Sequence, residues 1–248
     1  MGVISKQLAK TAIATPAYQE WENLIGLKAR IAEVRPYFCS LEWVIVCESD
    51  ASAEVIAQVT SDSDWVHVFK RPDGAPEFGN ALSLSVQIAR ELGDVVITMD
   101  GDGSHQPEEI PRLVEVLVES EAAAVIASRY VSGGSSDNPA LLKAMSKILN
   151  LIFAVSLRMK VKDISNNFRA VRSDCLPGMA LKQRNFDAVE ELLLHVKYKG
   201  AGRPIVEIES HFNERLHGES KRRLGPFIIS YIYAIIRVDV KVRRLYSK

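Results

Sequence analysis

Along the first half of the chain, short β-branched apolar runs alternate with longer stretches of helical period. Thr11–Thr15, stopped by Pro16, Leu41–Cys47, Val66–Phe69, Asp94–Met99 and Ala123–Ser128 read as strands. Between them, Glu22–Val34, Ser52–Thr60, Ala81–Leu92 and Pro107–Ser120 carry the spacing of helices. Pro107 with Glu108 and Glu109 behind it suits a helix start, where proline fits the first turn and acids complement the dipole. Strands alternating with helices in this way predict an α/β fold, a mostly parallel sheet with helices on both faces. No internal repeat or low-complexity run interrupts the pattern.

The second half is less regular. Asn138–Arg158 reads as one long helix, with Leu142, Met145, Leu149 and Ile152 on an apolar stripe and Lys143, Ser146, Lys147 and Asn150 on a polar one. Asp187–Lys199 predicts a further helix, and Pro204–Glu209 alternates like a half-exposed strand. Pro226–Tyr246 is aromatic and apolar first and basic afterwards. It divides the chain into an α/β domain over 1–225 and an amphipathic basic helix over 226–248.

At 47% hydrophobic and 25% charged residues, the 248-residue chain is globular rather than disordered. Lys and Arg number 31, as do Asp and Glu, so no net positive field draws the chain to nucleic acid. The distribution is less even. Between Glu42 and Asp64 lie six acids and no base, whereas nine bases against two acids follow from Arg215 onward. That basic end suits phosphate or an anionic leaflet, and equally a solvated helix face. Cys39, Cys47 and Cys175 are too few and scattered for a disulfide framework or a zinc cluster. The first ten residues lack the apolar core of a secretory signal, and Pro226–Ile236 is about half of what spans a bilayer. The expectation is a cytoplasmic protein, peripheral at most.

The chemistry concentrates after the fourth strand, where Val95–Met99 runs into Asp100-Gly-Asp102-Gly-Ser-His105. In open α/β sheets, ligands bind beyond the carboxyl ends of the strands. Two carboxylates one glycine apart in a tight turn can share a hard cation and leave positions for a substrate diphosphate, which suits Mg²⁺ or Mn²⁺. A polar turn capping the next helix has the same sequence, so this motif alone leaves both readings open. His105 is placed to join a metal shell or a helix start.

The segment DGDGSHQPEEIPRLVEVL resembles the DxD region of inverting GT-A glycosyltransferases of family 2, specifically the dolichyl- and polyprenyl-phosphate sugar synthases. Further similarities follow in the same order: TPAYQE at the first strand, SRYVSGG at 128–134, DISNNFRAVR at 163–172 and FNERLHGESK at 212–221. The resemblance covers roughly residues 11 to 225. It implies a GT-A (Rossmann-like) α/β fold and an inverting hexosyltransferase that takes a sugar from a nucleoside-diphosphate sugar to a lipid phosphate. It implies Asp102 as metal ligand and Asp100 as ligand or ribose contact, with Pro16, Tyr18, Glu20 and Glu48 around the nucleoside. It further implies Arg129, Arg169, Arg215, Ser220 and Lys221 about the acceptor phosphate. Lys143 and Ser146 could extend that cluster from their helix stripe. Asp163 stands either as a general base, for a hydroxyl acceptor, or as the cap of the turn at Phe168.

One segment departs from the family pattern. Where the family has two aspartates, then Gly-Ser and a further Asp, this chain has Cys47-Glu48-Ser49-Asp50-Ala51-Ser52. Two alternatives therefore stand beside lipid-phosphate glycosylation. One is transfer to a glycan hydroxyl, and the other a noncatalytic GT-A-like binding domain. The tail from Pro226 is expected to reach a membrane surface as an interfacial helix, to pack on the sheet, or to form a dimer contact.

Overall fold

In the computed structural model, residues 7–71, 78–179, 181 and 187–214 are described. The strand β1 (Thr11–Pro16) is buried along its whole length, as expected for the middle of a sheet covered on both faces. Its neighbours are β2 (Leu41–Cys47), with β3 (Val66–Lys70) beyond, and β4 (Val95–Thr98) on the other side. All of these are parallel. The sheet continues through β7 (Arg169–Arg172) to β5 (Ala124–Ser128) and β8 (Ile205–Glu209), giving the order β3-β2-β1-β4-β7-β5-β8. Strand β7 alone runs against its neighbours β4 and β5.

Two apolar layers follow from the alternation of side chains along β1 and β2. Ile13, Trp43 and Ile45 face α1 (Trp21–Val34) and α4 (Ile110–Glu119), together with Val59 of α2 (Ala53–Thr60). Ala12, Ala14, Val44 and Val46 face α3 (Phe78–Leu92), and α6 (Ala188–Lys199) lies in the same layer. Small residues on β1 let α3 lie close. At Gly93 a Cβ would stand 2.8 Å from the Ala12 nitrogen, so only glycine fits the turn that leaves α3. The indole of fully buried Trp43 is satisfied, since its Nε1 donates to Thr15 Oγ1 at 2.9 Å.

Most expected elements occur within a residue or three of their predicted ends. Ser52 is the cap rather than the first residue of α2, its hydroxyl accepting from the Val55 amide at 3.3 Å. Pro107–Glu109 forms a 3-10 turn before α4. The long helix, α5, spans Ala140–Ser156. The strand β7 carries no apolar run of its own in the sequence, where it is the end of the DISNNFRAVR motif. A second, two-stranded sheet pairs β6 (Ser135–Ser136) with β9 (His211–Phe212). The expected tail helix over 226–248 lies outside the described residues, and among those no helix is long and apolar enough to cross a membrane.

Candidate active site

Strand order reverses at β1, because the chain runs outward through β2 and β3 and then returns to β4 on the opposite side. A crevice opens at such a switch point, beyond the carboxyl ends of the strands. Ala14 pairs with Thr98 across β1 and β4, so the loops after these two strands are neighbours. Pro16 ends β1, the loop behind it carries Tyr18 and Glu20, and the second loop is the acidic turn. At Gly101 a Cβ would meet Glu20 Oε2 at 3.1 Å, which places that carboxylate against the turn.

The acidic turn is held from three sides. Asp102 is buried, and its Oδ1 accepts from the Ser104 amide at 3.0 Å and from the Ser104 hydroxyl. Asp100 Oδ1 accepts from Asn167 Nδ2 at 2.8 Å. The amide of Asp100 donates to His105 Nδ1 at 3.1 Å, and His105 Nε2 stands 3.1 Å from Asn166 Oδ1. One tautomer, with the proton on Nε2, satisfies both contacts. The ring stacks on Phe168 at 5.0 Å and meets Phe212 edge-on at 5.4 Å. In the structure His105 is a buried brace behind the turn.

The loop after β1 is braced by Glu48. This buried carboxylate accepts from the Gln19 amide and from Trp21 Nε1, each at 3.3 Å. Gln19 takes φ 55, a left-handed conformation rare outside glycine, and the Glu48 contact helps to hold it. Cys47, where the family pattern has an acid, is fully buried with Sγ 3.4 Å from the Phe69 carbonyl. Burial, reinforced by the Glu48 charge, pushes its thiol up to about 11.

A second pole lies at the end of β5. Arg129 forms an ion pair with Asp163, which is completely buried. The main-chain amide of Arg129 donates to Asp163 Oδ2 at 2.9 Å, its Nε to Oδ2 at 2.8 Å and its Nη2 to Oδ1 at 2.7 Å. Nη2 also reaches Ser165 Oγ at 3.1 Å, and the guanidinium lies over the rings of Tyr130 and Phe212. At Gly134 a Cβ would stand 2.4 Å from the Ser128 carbonyl oxygen, so the loop carrying Arg129 folds back on β5 only because that residue is glycine.

Several sequence expectations are revised. Asp163 does not cap the turn at Phe168; that amide is taken by Asn166 Oδ1 at 3.2 Å, and Asp163 binds Arg129 instead. Arg169 does not join Arg129. It is fully buried on β7 and donates to the Val189 carbonyl at 2.7 Å and to the Ile164 carbonyl, tying α6 to the loop before β7. Lys143 Nζ donates to the Ser136 carbonyl at 3.3 Å, while Ser146 sits one turn before Asn150, which is buried and bonded to Ser165. Arg215, Ser220 and Lys221 lie outside the described residues; Phe212 packs on His105, and the Asn213 amide donates to the Ser104 carbonyl at 3.0 Å. The braces Asn167 and Glu48, and the contact of Asn166 with His105, carry no spacing signal, because each joins residues distant in sequence.

Among the described residues, no three His, Cys, Asp or Glu side chains gather into a metal centre. The acidic turn instead offers carboxylate oxygens from Asp100 and Asp102, each with one oxygen oriented by neighbours. Such a sparse, hard donor set fits a Mg²⁺- or Mn²⁺-like ion that keeps most of its sphere for water and substrate phosphates.

The Glycosyl transferase family 2 model matches residues 12–221, which takes in both poles and the sheet between them. The chain belongs to glycosyl transferase family 2. Within this family it is 32% identical to the dolichol-phosphate mannosyltransferase of Pyrococcus furiosus over 92% of its own length. It spans only 63% of that relative. It is 33% identical to the undecaprenyl-phosphate mannosyltransferase of Micrococcus luteus, covering 85% of this chain and 86% of that one. The fold matches glucosyl-3-phosphoglycerate synthase from Mycobacterium tuberculosis, solved with Mn²⁺, UDP and glucosyl-3-phosphoglycerate. The TM-score is 0.65 and the identity 18%, over 93% of this chain and 80% of that one. The GT-A architecture of this family 2 member is thus the expected one.

Proposed function

We propose that this chain is an inverting, metal-dependent glycosyltransferase that moves a hexose from a nucleoside-diphosphate sugar to a polyprenyl phosphate. The observation that carries this reading is the pairing of Arg129 with buried Asp163 in the same carboxyl-end region as the Asp100–Asp102 turn. One pole suits a diphosphate with its cation, the other an anionic acceptor.

On the donor side, Pro16, Tyr18 and Glu20 line the loop that takes the nucleoside, and Glu48 holds that loop in place. Asp100 and Asp102 would hold the divalent ion, which supplies Lewis-acid stabilisation of the departing diphosphate. An acceptor phosphate oxygen attacks the anomeric carbon as the bond from that carbon to the diphosphate breaks, and the bonding pair leaves with the diphosphate. One displacement inverts the configuration.

A phosphate monoester is already ionised near neutral pH, its second pKa being about 6, so it needs orientation and no base. The geometry of Asp163 favours this acceptor over a hydroxyl. Both its oxygens accept from Arg129, an arrangement suited to orienting a guanidinium and unsuited to taking a proton. Lys143 and Ser146, on the same helix as Asn150, extend the acceptor side.

A lipid-linked acceptor calls for contact with a membrane face, and α5 offers one. Leu141, Ile148, Leu151, Ile152 and Val155 are exposed on it, Leu141 to 72% and Val155 to 70%. At 100° per residue they fall within about a 100° arc, with Lys147 and Lys143 along its flank. Apolar residues edged by lysines are the pattern of a helix lying in a lipid interface.

The test is thermal stabilisation by UDP-, GDP- and dTDP-sugars with and without Mn²⁺ or Mg²⁺, with Asp102→Asn as control, followed by turnover on polyprenyl phosphate and on glycan acceptors. Binding at one hundred times the dissociation constant stabilises by about 2.7 kcal/mol. We expect one nucleotide class to stabilise the protein only with metal and only with Asp102 intact, and sugar to pass to the lipid phosphate. Stabilisation without any turnover would favour a noncatalytic binding domain. Transfer to glycan hydroxyls alone would refute the acceptor assignment.

A further inference from the structure

The segment that joins α5 to β7 contains Asp163 and has no helix or strand of its own between residues 157 and 168. Something outside it must therefore set the position of the carboxylate that holds Arg129. Glu207, in the middle of β8, meets that requirement. Its Oε2 accepts from the Lys162 amide at 2.8 Å and its Oε1 from the Asp163 amide at 2.9 Å. One carboxylate thus grips two successive peptide groups, an arrangement that fixes the backbone between them.

The contacts form a relay of rigid parts. Strand β8 is anchored in the sheet by its parallel pairing with β5, Glu207 lying opposite Ile126 and Glu209 opposite Ser128. Glu207 holds the amide of Asp163, and Asp163 in turn receives the main-chain amide, Nε and Nη2 of the residue that follows β5. Both ends of the Arg129 fork are therefore referenced to adjacent strands of one sheet. Ser165, bonded to Asn150 at 2.9 Å through its amide, steadies the other flank.

We propose that Glu207 is a positioning residue for acceptor binding, acting through Asp163 to hold the Arg129 guanidinium where an acceptor phosphate docks. This rests on the assignment of Arg129 to the acceptor phosphate made above. A charge displaced by about an ångström loses much of the advantage of pre-organisation, so the effect falls on acceptor affinity. The donor side, braced by Glu48, His105 and Asn167, shares no hydrogen bond with Glu207 among those described.

The experiment titrates full-length protein with farnesyl phosphate as a short acceptor probe, and separately with nucleoside diphosphate plus Mn²⁺. Wild type is compared with Glu207→Ala, Glu207→Gln, Arg129→Ala and the double variant Glu207→Ala/Arg129→Ala. Glu207→Ala is expected to weaken farnesyl phosphate about tenfold while nucleotide affinity stays within twofold. Glu207→Gln keeps one accepting oxygen and should fall between the two, also covering the case in which the alanine variant folds poorly. On the Arg129→Ala background the Glu207 change should add less than twofold, since residues of one network are not additive. Arg129→Ala without effect on farnesyl phosphate would sink the acceptor reading itself. An Arg129 effect with no Glu207 effect, equal weakening of nucleotide and acceptor, or multiplication of the two substitutions would each overturn the positioning role alone.

Discussion

Replacing His105 by phenylalanine isolates the hydrogen bonds that brace the acidic turn from the packing around them. The ring is buried, accepts from the Asp100 amide at 3.1 Å and stands 3.1 Å from Asn166 Oδ1. Phenylalanine keeps the shape that stacks on Phe168 and meets Phe212. What it removes is unequal at the two ends. Asn166 Oδ1 keeps the Phe168 amide as a donor, so only a net hydrogen bond of about 1 kcal/mol is lost there. The Asp100 amide loses its acceptor, at a cost of about 1–3 kcal/mol for an unmade bond away from water. Better burial of the apolar ring offsets part of this, leaving a destabilisation of about 2 kcal/mol. For a domain of this size that lowers Tm by about 4–8 °C. Urea unfolding followed by far-UV circular dichroism measures it directly, and His105→Leu, which also gives up ring stacking, should fall by about a further 1 kcal/mol. Nucleotide binding in the presence of Mn²⁺ should weaken in both variants, because Asp100 loses its main-chain brace. A phenylalanine variant within 0.5 kcal/mol (about a third of a tenfold step in the folding constant) of wild type would refute the argument that these two bonds hold the turn.

Three further outcomes follow from separate contacts. Gly134→Ala drives a Cβ to 2.4 Å from the Ser128 carbonyl oxygen, so it should destabilise by about 1–3 kcal/mol and weaken farnesyl phosphate, read by thermal unfolding and titration. In native protein at pH 8, a disulfide reagent should label Cys39 quickly and leave Cys47 and Cys175 untouched. Cys39 is exposed, while burial pushes each of the other two thiols up to about 11, leaving about 0.1% as thiolate. Three equivalents should react once denaturant is added; two or more fast equivalents in native protein contradict the burial. Ile148→Ser and Leu151→Ser should each reduce co-sedimentation with anionic vesicles about tenfold, since a lipid-buried aliphatic side chain contributes about 1.5 kcal/mol, with Tm unchanged because both residues are exposed in the protein. Undiminished sedimentation would remove α5 as the lipid-facing element.

Hydrophobic periodicity reports which residues face inward, and it carries most of the elements because the inner parallel strands β1, β2, β4 and β5 are buried on both faces and read as apolar runs. Strand β7 escaped separate notice for a related reason. Only four residues long, Arg169–Arg172 begins and ends with arginine, and its pairing with β4 and β5 is decided by partners more than forty residues distant. The same arginine shows how far a motif carries. Residue type and motif placed Arg169 among phosphate binders, whereas burial on the sheet turned its guanidinium to the carbonyls of Val189 and Ile164. The outer face of α5 is a second case. Helical spacing groups Ile152 with Leu142, Met145 and Leu149, yet it is 40% exposed while Phe153 is buried, because a helix apolar on more than one side does not say which side meets the core.

By itself the sequence determined the α/β alternation, the acidic turn at the end of the fourth strand and the family to which the chain belongs. Those are local properties: the period of a side-chain pattern and the order of short motifs. Tertiary structure alone decided that Asp163 belongs to Arg129, that Glu48 holds the loop after β1, that His105 stands behind Asp100 and that Glu207 reaches the amide of Asp163. Apart from His105 and Asp100, which share one turn, these are contacts between residues far apart in the chain that the fold makes neighbours, and a hydrogen bond depends on a distance in space that no spacing along the chain encodes.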